Sequence, residues 1–184
     1  FPICLLSMNY LFRSTAGQGL KYFNIIVPGI AVAHGLGRIG CFMGGCCFGA
    51  VTNSFLGVRF PEGSIAAKLY PAAGGGSLPV YPTQLFEAIF EIAIGITLLS
   101  LNKKTENYNA AIYFISYGIF RFALEFLRGD DRGSTGIALS PSQIMSIVLI
   151  LYGVVLLLYK KGVILKKHAL KMQKYSEKNA KELI

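Results

Sequence analysis

The sequence predicts an all-α fold, a polytopic transmembrane helix bundle with one irregular outward-facing loop. Three observations carry that expectation. Hydrophobic residues make up 53% of the 184, and charged residues only 15%, where a soluble domain carries about a quarter. The mean hydropathy of +0.53 suits lipid as solvent. Finally, four apolar stretches come close to the roughly 20 residues that a spanning helix needs.

The elements follow in order. The chain opens at Phe1 inside an apolar stretch that runs to Phe12. No basic segment or small-residue cleavage site accompanies it, so it does not read as a signal peptide. It reads as the end of an earlier membrane segment, with more sequence expected upstream. Residues 22–48 form the first full span, rich in small residues and holding one arginine, Arg38. Residues 49–83 contain Gly74-Gly75-Gly76 and the breakers Pro61, Pro71, Pro79 and Pro82, which mark a loop. Residues 84–101, 110–127 and 142–159 are the remaining spans. The chain thus divides into a transmembrane domain over residues 1–159 and a basic tail over 160–184.

A net charge of +9 suggests an acidic partner until it is located. The last twenty-five residues hold eight lysines against Glu177 and Glu182, leaving only +3 for everything before them. A folded nucleic-acid-binding surface is therefore not expected. Arg13, Lys21, Lys103, Lys104 and the tail fall on one side of the membrane, and Arg59, Lys68, Arg128 and Arg132 on the other. The positive-inside rule makes the first set, with the C-terminus, cytoplasmic. The long loop then faces outward.

Ionisable groups inside spans are costly unless paired or facing a wet cavity, so each is a functional candidate. Arg38, Glu87, Glu91, Arg121 and Glu125 qualify. Tyr117, Arg121 and Glu125, spaced by four, form one stripe on a helix face. That stripe is either a polar wall for a ligand or an ion pair that neutralises itself and joins helices. Arg38 lies among six glycines in the sixteen positions 34–49. A guanidinium in such a setting suits a phosphate, and the alternative is a packing seam with a snorkelling arginine. His34, Cys41, Cys46 and Cys47 are soft ligands close in sequence. Their spacing differs from zinc-knuckle pairs, and adjacent Cys46 and Cys47 cannot easily share one ion. Buried thiols are the expectation, with a disulfide possible near the outer face. There is no Gly-x-Ser-x-Gly elbow, and the second histidine, His168, lies in the tail.

Three blocks occur in order: Gly37-Arg38-Ile39-Gly40 through Gly49, Tyr81-Pro82-Thr83-Gln84-Leu85-Phe86-Glu87, and Tyr117 through Arg128. A fourth, Ser140-Pro141-Ser142-Gln143, opens the last span. Together they resemble the prolipoprotein diacylglyceryl transferase family of bacterial membrane enzymes. The resemblance implies a multi-pass enzyme of the bacterial cell membrane. Such an enzyme moves diacylglyceryl from phosphatidylglycerol to the lipobox cysteine thiol in the signal peptide of a lipoprotein precursor, releasing glycerol phosphate. It implies neither metal nor organic cofactor. Carried onto this chain, it gives Arg121, Tyr117 and Glu125 as catalytic. It gives Arg38, Gly37, Gly40, Cys41, Gly49, Gln84 and Glu87 as substrate-binding.

The chain also departs from the family pattern, which usually has asparagine at Cys41 and Gly44, glutamate at Cys46 and histidine at Tyr81. The family's His-Gly-Gly segment is expected upstream of Phe1, and His34 is a candidate substitute base. The alternative function is a phospholipid-binding membrane protein of the same fold that does not lipidate precursors.

Overall fold

The computed structural model describes residues 16–101, 105, 107–128 and 139–162. The opening apolar stretch, Lys103 and Lys104, Arg132 and most of the basic tail lie outside the described residues. The described residues form five α-helices: α1 (Ala16–Met43), α2 (Ile65–Leu69), α3 (Thr83–Ser100), α4 (Asn109–Leu124) and α5 (Pro141–Lys160). A 3-10 turn, Glu125–Leu127, extends α4. Four segments, Gly19–Met43, Thr83–Ser100, Asn109–Leu127 and Pro141–Lys160, are long and apolar enough to cross a membrane. No strand occurs among the described residues.

Two helix pairs make the bundle, α1 against α3 and α4 against α5. Small residues set both spacings. A Cβ on Gly95 would meet the Pro28 carbonyl at 2.9 Å, and one on Gly35 the Ala88 carbonyl at 3.0 Å. Gly118 and Gly153 do the same between α4 and α5, meeting the Ser146 and Ala111 carbonyls. Leu20, Phe23, Val27, Leu98, Phe114 and Leu156 fill the core between the pairs. Ile25, Ile30, Ile89, Ile96, Leu151 and Val155 are exposed on the outside, as lipid-facing positions should be.

Pro28 explains a polar clamp inside this core. Proline has no N–H, so the Asn24 carbonyl four residues earlier loses its helical partner. Asn109 Nδ2 donates to that carbonyl at 3.1 Å, and Asn24 Oδ1 accepts from the Ala110 N–H at 2.8 Å. The start of α4 is thereby fixed to α1 by hydrogen bonds. Asn109→Ala should cost about 1–3 kcal/mol, because it leaves a buried carbonyl unmet. Adding Pro28→Ala restores an N–H, so a double-mutant cycle of melting in detergent should show favourable coupling. Strict additivity would contradict this account.

The sequence places the end of the first span at residue 48, whereas α1 stops at Met43. Gly44 and Gly45 form the stop, with Gly45 at φ 60°. The long loop is more ordered than its glycines and prolines suggest. It contains α2, capped by Ser64 accepting from the Ala67 N–H, and antiparallel bridges joining Val80 to both Val51 and Val58. Phe48, Phe60, Ala66 and Val80 give it a core of its own. The Ala50 N–H donates to the Leu127 carbonyl at 2.9 Å, tying this lobe to the end of α4.

Candidate functional site

The end of α1, the starts of α3 and α5, and the end of α4 all meet under this lobe, and the intramembrane charges collect there. Arg38 lies five residues before the end of α1 and Glu87 four residues into α3. At 1.5 Å per residue these positions are about 6–8 Å from the helix ends, at the lobe end of the bundle.

Glu87 is 1% exposed and joins three helices. Its Oε1 accepts from Arg38 Nη2 at 2.9 Å and from the Tyr117 hydroxyl at 2.9 Å. Arg38 Nε is buried and has no hydrogen-bond partner among the described residues, while the side chain as a whole keeps 20% exposure. The guanidinium is thus held by Glu87 through Nη2 and stays partly open. Gly37 and Gly40, on the same stretch of α1, have nothing within 4 Å of a hypothetical Cβ. They leave open surface beside Arg38 rather than serve a packing seam.

One turn deeper lies a second set. Glu91, 0% exposed, holds His34 Nδ1 at 3.0 Å through Oε1, which also accepts from the Tyr113 hydroxyl at 3.3 Å. The His34 ring meets Tyr117 edge-on, with centroids 5.5 Å apart. This contact fixes Nδ1 on Glu91 and turns Nε2 away from it.

Arg121 belongs to a third set, between α4 and α5. Nη1 donates to Glu125 Oε2 at 2.7 Å and Nη2 to Ser142 Oγ at 3.1 Å. The other Glu125 oxygen accepts from Ser140 Oγ at 2.8 Å. Ser140 also caps α5 in a reciprocal box with Gln143, so the last span opens on the carboxylate that holds Arg121. A cavity of about 270 Å³ lies alongside, lined by Tyr117, Arg121, Ser142, Met145, Ser146 and Leu149 among others.

The stripe of Tyr117, Arg121 and Glu125 therefore divides. Arg121 pairs with Glu125, while Tyr117 turns to Glu87 and Arg38. Two assigned positions are engaged in holding the fold. Gln84 Nε2 donates to the Cys46 carbonyl at 2.6 Å. A Cβ on Gly49 would meet the Leu127 carbonyl at 2.6 Å and Thr83 Cγ2 at 2.8 Å. Glu91 and Tyr113 join the polar cluster through contacts across helices. Glu91 was visible in the sequence as an intramembrane carboxylate, but nothing there linked it to His34.

The cysteines differ most from expectation. The Sγ atoms of Cys41, Cys46 and Cys47 all lie within 4.8 Å of one another. Adjacent Cys46 and Cys47 are not expected from spacing to converge, yet Cys47 adopts φ 59°. That left-handed conformation brings neighbouring thiols together. Burial, then the hydrogen bond and charge of Cys47, then Cys41, push the Cys46 thiol up to about 11. Metal-free protein should alkylate slowly at Cys46 at about pH 8.5, where an ordinary thiol is half ionised. The rate should climb only as pH rises towards the raised value, read by peptide mass spectrometry. A rate that levels off at the ordinary thiol pKa would contradict this.

Comparison with known proteins gives the family. The family described as prolipoprotein diacylglyceryl transferase matches residues 3–159. The chain is 45% identical over 137 residues to phosphatidylglycerol–prolipoprotein diacylglyceryl transferase 2 of Clostridium perfringens, covering 73% of this chain and 50% of that protein. It is 37% identical to the transferase of Clostridium tetani, over 73% of this chain and 51% of the relative. The Chlorobaculum tepidum transferase is 31% identical, over 73% and 45%. The chain spans about half the length of these curated relatives. It belongs to the prolipoprotein diacylglyceryl transferase family.

Proposed function

We propose that this member of the prolipoprotein diacylglyceryl transferase family transfers diacylglyceryl from phosphatidylglycerol to a lipoprotein precursor. The acceptor is the lipobox cysteine thiol of the precursor's signal peptide. One observation carries the reading: a guanidinium at Arg38 held by Glu87 through Nη2 and still 20% exposed, beside the open backbone of Gly37 and Gly40. That is a site for a lipid phosphate. The setting is a bacterial cell membrane, with the C-terminus cytoplasmic and the lobe outside, supported by the lysine distribution.

In this reading the phosphatidylglycerol phosphate lies against Arg38, with Arg121 reached from the neighbouring cavity. Glu87 and Tyr117 orient Arg38, and Glu125 with Ser142 orients Arg121. The precursor thiol loses its proton, and the thiolate is the nucleophile. His34 is the base this chain offers, because Glu91 on Nδ1 leaves the Nε2 lone pair to accept a proton. A carbon–sulfur bond forms as the carbon–oxygen bond to phosphate breaks. Glycerol phosphate leaves with the electron pair, and fixed guanidinium groups stabilise its growing charge.

The test is complementation in a bacterium depleted of its own transferase, using the complete gene product. Restored diacylglyceryl modification of precursors, read by mass spectrometry, is the expected result. Well-expressed, membrane-inserted protein with no restored modification would favour the other reading, phospholipid binding without transfer.

A further inference from the structure

We propose that Cys41, Cys46 and Cys47 form a three-thiolate site for a thiophilic d10 cation, zinc(II) or copper(I), at the lobe end of α1. Their sulfurs converge within 4.8 Å, and all three are free thiols, partly exposed. Thiolates bound to one ion at about 2.3 Å stand about 3.8–4.0 Å apart, so closure needs a shift of about 1 Å or less. Side-chain rotation supplies that.

The backbone beneath the cluster is fixed. Cys47 holds a left-handed conformation that a side chain disfavours. An extended dipeptide would send adjacent thiols to opposite sides. The turn is clamped from α3, where Thr83 Oγ1 donates to the Cys47 carbonyl at 3.0 Å and Gln84 Nε2 donates to the Cys46 carbonyl. Thr83 and Gln84 are both buried. Outer support of this kind is what orients metal ligands.

Sulfur selects the class of ion, since magnesium and calcium require oxygen ligands. The number of thiols argues the same way. A redox pair uses two sulfurs, whereas a cation uses all three and leaves a fourth position open on the exposed side. A bound ion ties the last turn of α1 to the turn that rests on α3. The proposal is independent of the transfer reaction.

The experiment uses the full chain carrying Cys4→Ser, purified in detergent under reducing, metal-free conditions, so that three thiols remain. Cobalt(II) stands in for zinc in one arm, and copper(I) competes with a chromophoric chelator in the other. We expect one equivalent per chain in at least one arm. Its signature is thiolate-to-cobalt charge-transfer absorption that zinc abolishes, or copper retained against the chelator. The cation should also shield all three cysteines from maleimide. Cys41→Ser or Cys46→Ser should weaken binding by at least the roughly 100-fold that loss of outer support can cost. The shielding is read on native thiols, so it holds even if a serine variant misfolds. No uptake and no shielding with either cation would overturn the site. So would acid-trapped membranes in which two of the three sulfurs are joined as a disulfide.

Discussion

Arg38→Ala is expected to abolish rescue of the depleted strain, and Arg38→Lys to restore almost none of it. Losing a fixed donor aimed at developing charge costs about 10²–10³ in rate. Arg38 also divides its guanidinium between two tasks, holding Glu87 through Nη2 while the side chain stays 20% exposed. Lysine brings a compact point charge without the planar fork, so it can hold Glu87 or a phosphate but not both in this geometry. Arg38→Ala also takes the counter-charge from the buried Glu87, which is left with the Tyr117 hydroxyl, so its stability cost has to be separated from the loss of transfer. The check is precursor modification in cells, normalised to the amount of folded protein in the membrane. Modification by Arg38→Ala at the native level would remove the phosphate assignment.

The spans and both arginines were legible in the sequence because cost makes them so. An apolar run of spanning length has few other uses, and an arginine within it demands a partner. What the partners are depends on helix–helix register, which local pattern does not contain. The spacing of Tyr117, Arg121 and Glu125 puts them on one face, yet Tyr117 reaches across to α3 while Arg121 pairs with Glu125 and reaches Ser142 on α5. Gln84 is a substrate-binding expectation from its block, and the turn it holds, thirty-eight residues earlier, is not legible there. Pro28 was visible and its consequence was not, since the freed carbonyl finds Asn109 eighty-five residues away. The convergence of the three thiols is not legible in the sequence for a local reason. Linear spacing assumes ordinary backbone, and Cys47 is not in an ordinary conformation.

Arg121 tests whether an intramembrane ion pair is machinery or glue. Both partners are nearly buried, with side-chain exposures of 9% and 8%, and Ser140 and Ser142 complete the set. Arg121→Ala leaves Glu125 buried without its counter-charge, and breaking such a pair costs about 3–5 kcal/mol. Lost activity in that variant alone would therefore say little. The informative protein is Arg121→Leu with Glu125→Leu, because replacing a whole buried pair by apolar side chains is often neutral or stabilising. We expect the double variant to melt in detergent within about 1 kcal/mol of the parent by that argument. Its precursor modification should still be at least about 100-fold lower, as removal of a charge-stabilising donor predicts. Substantial activity in the stable double variant would reduce Arg121 and Glu125 to a helix clamp, leaving Arg38 to carry the phosphate alone.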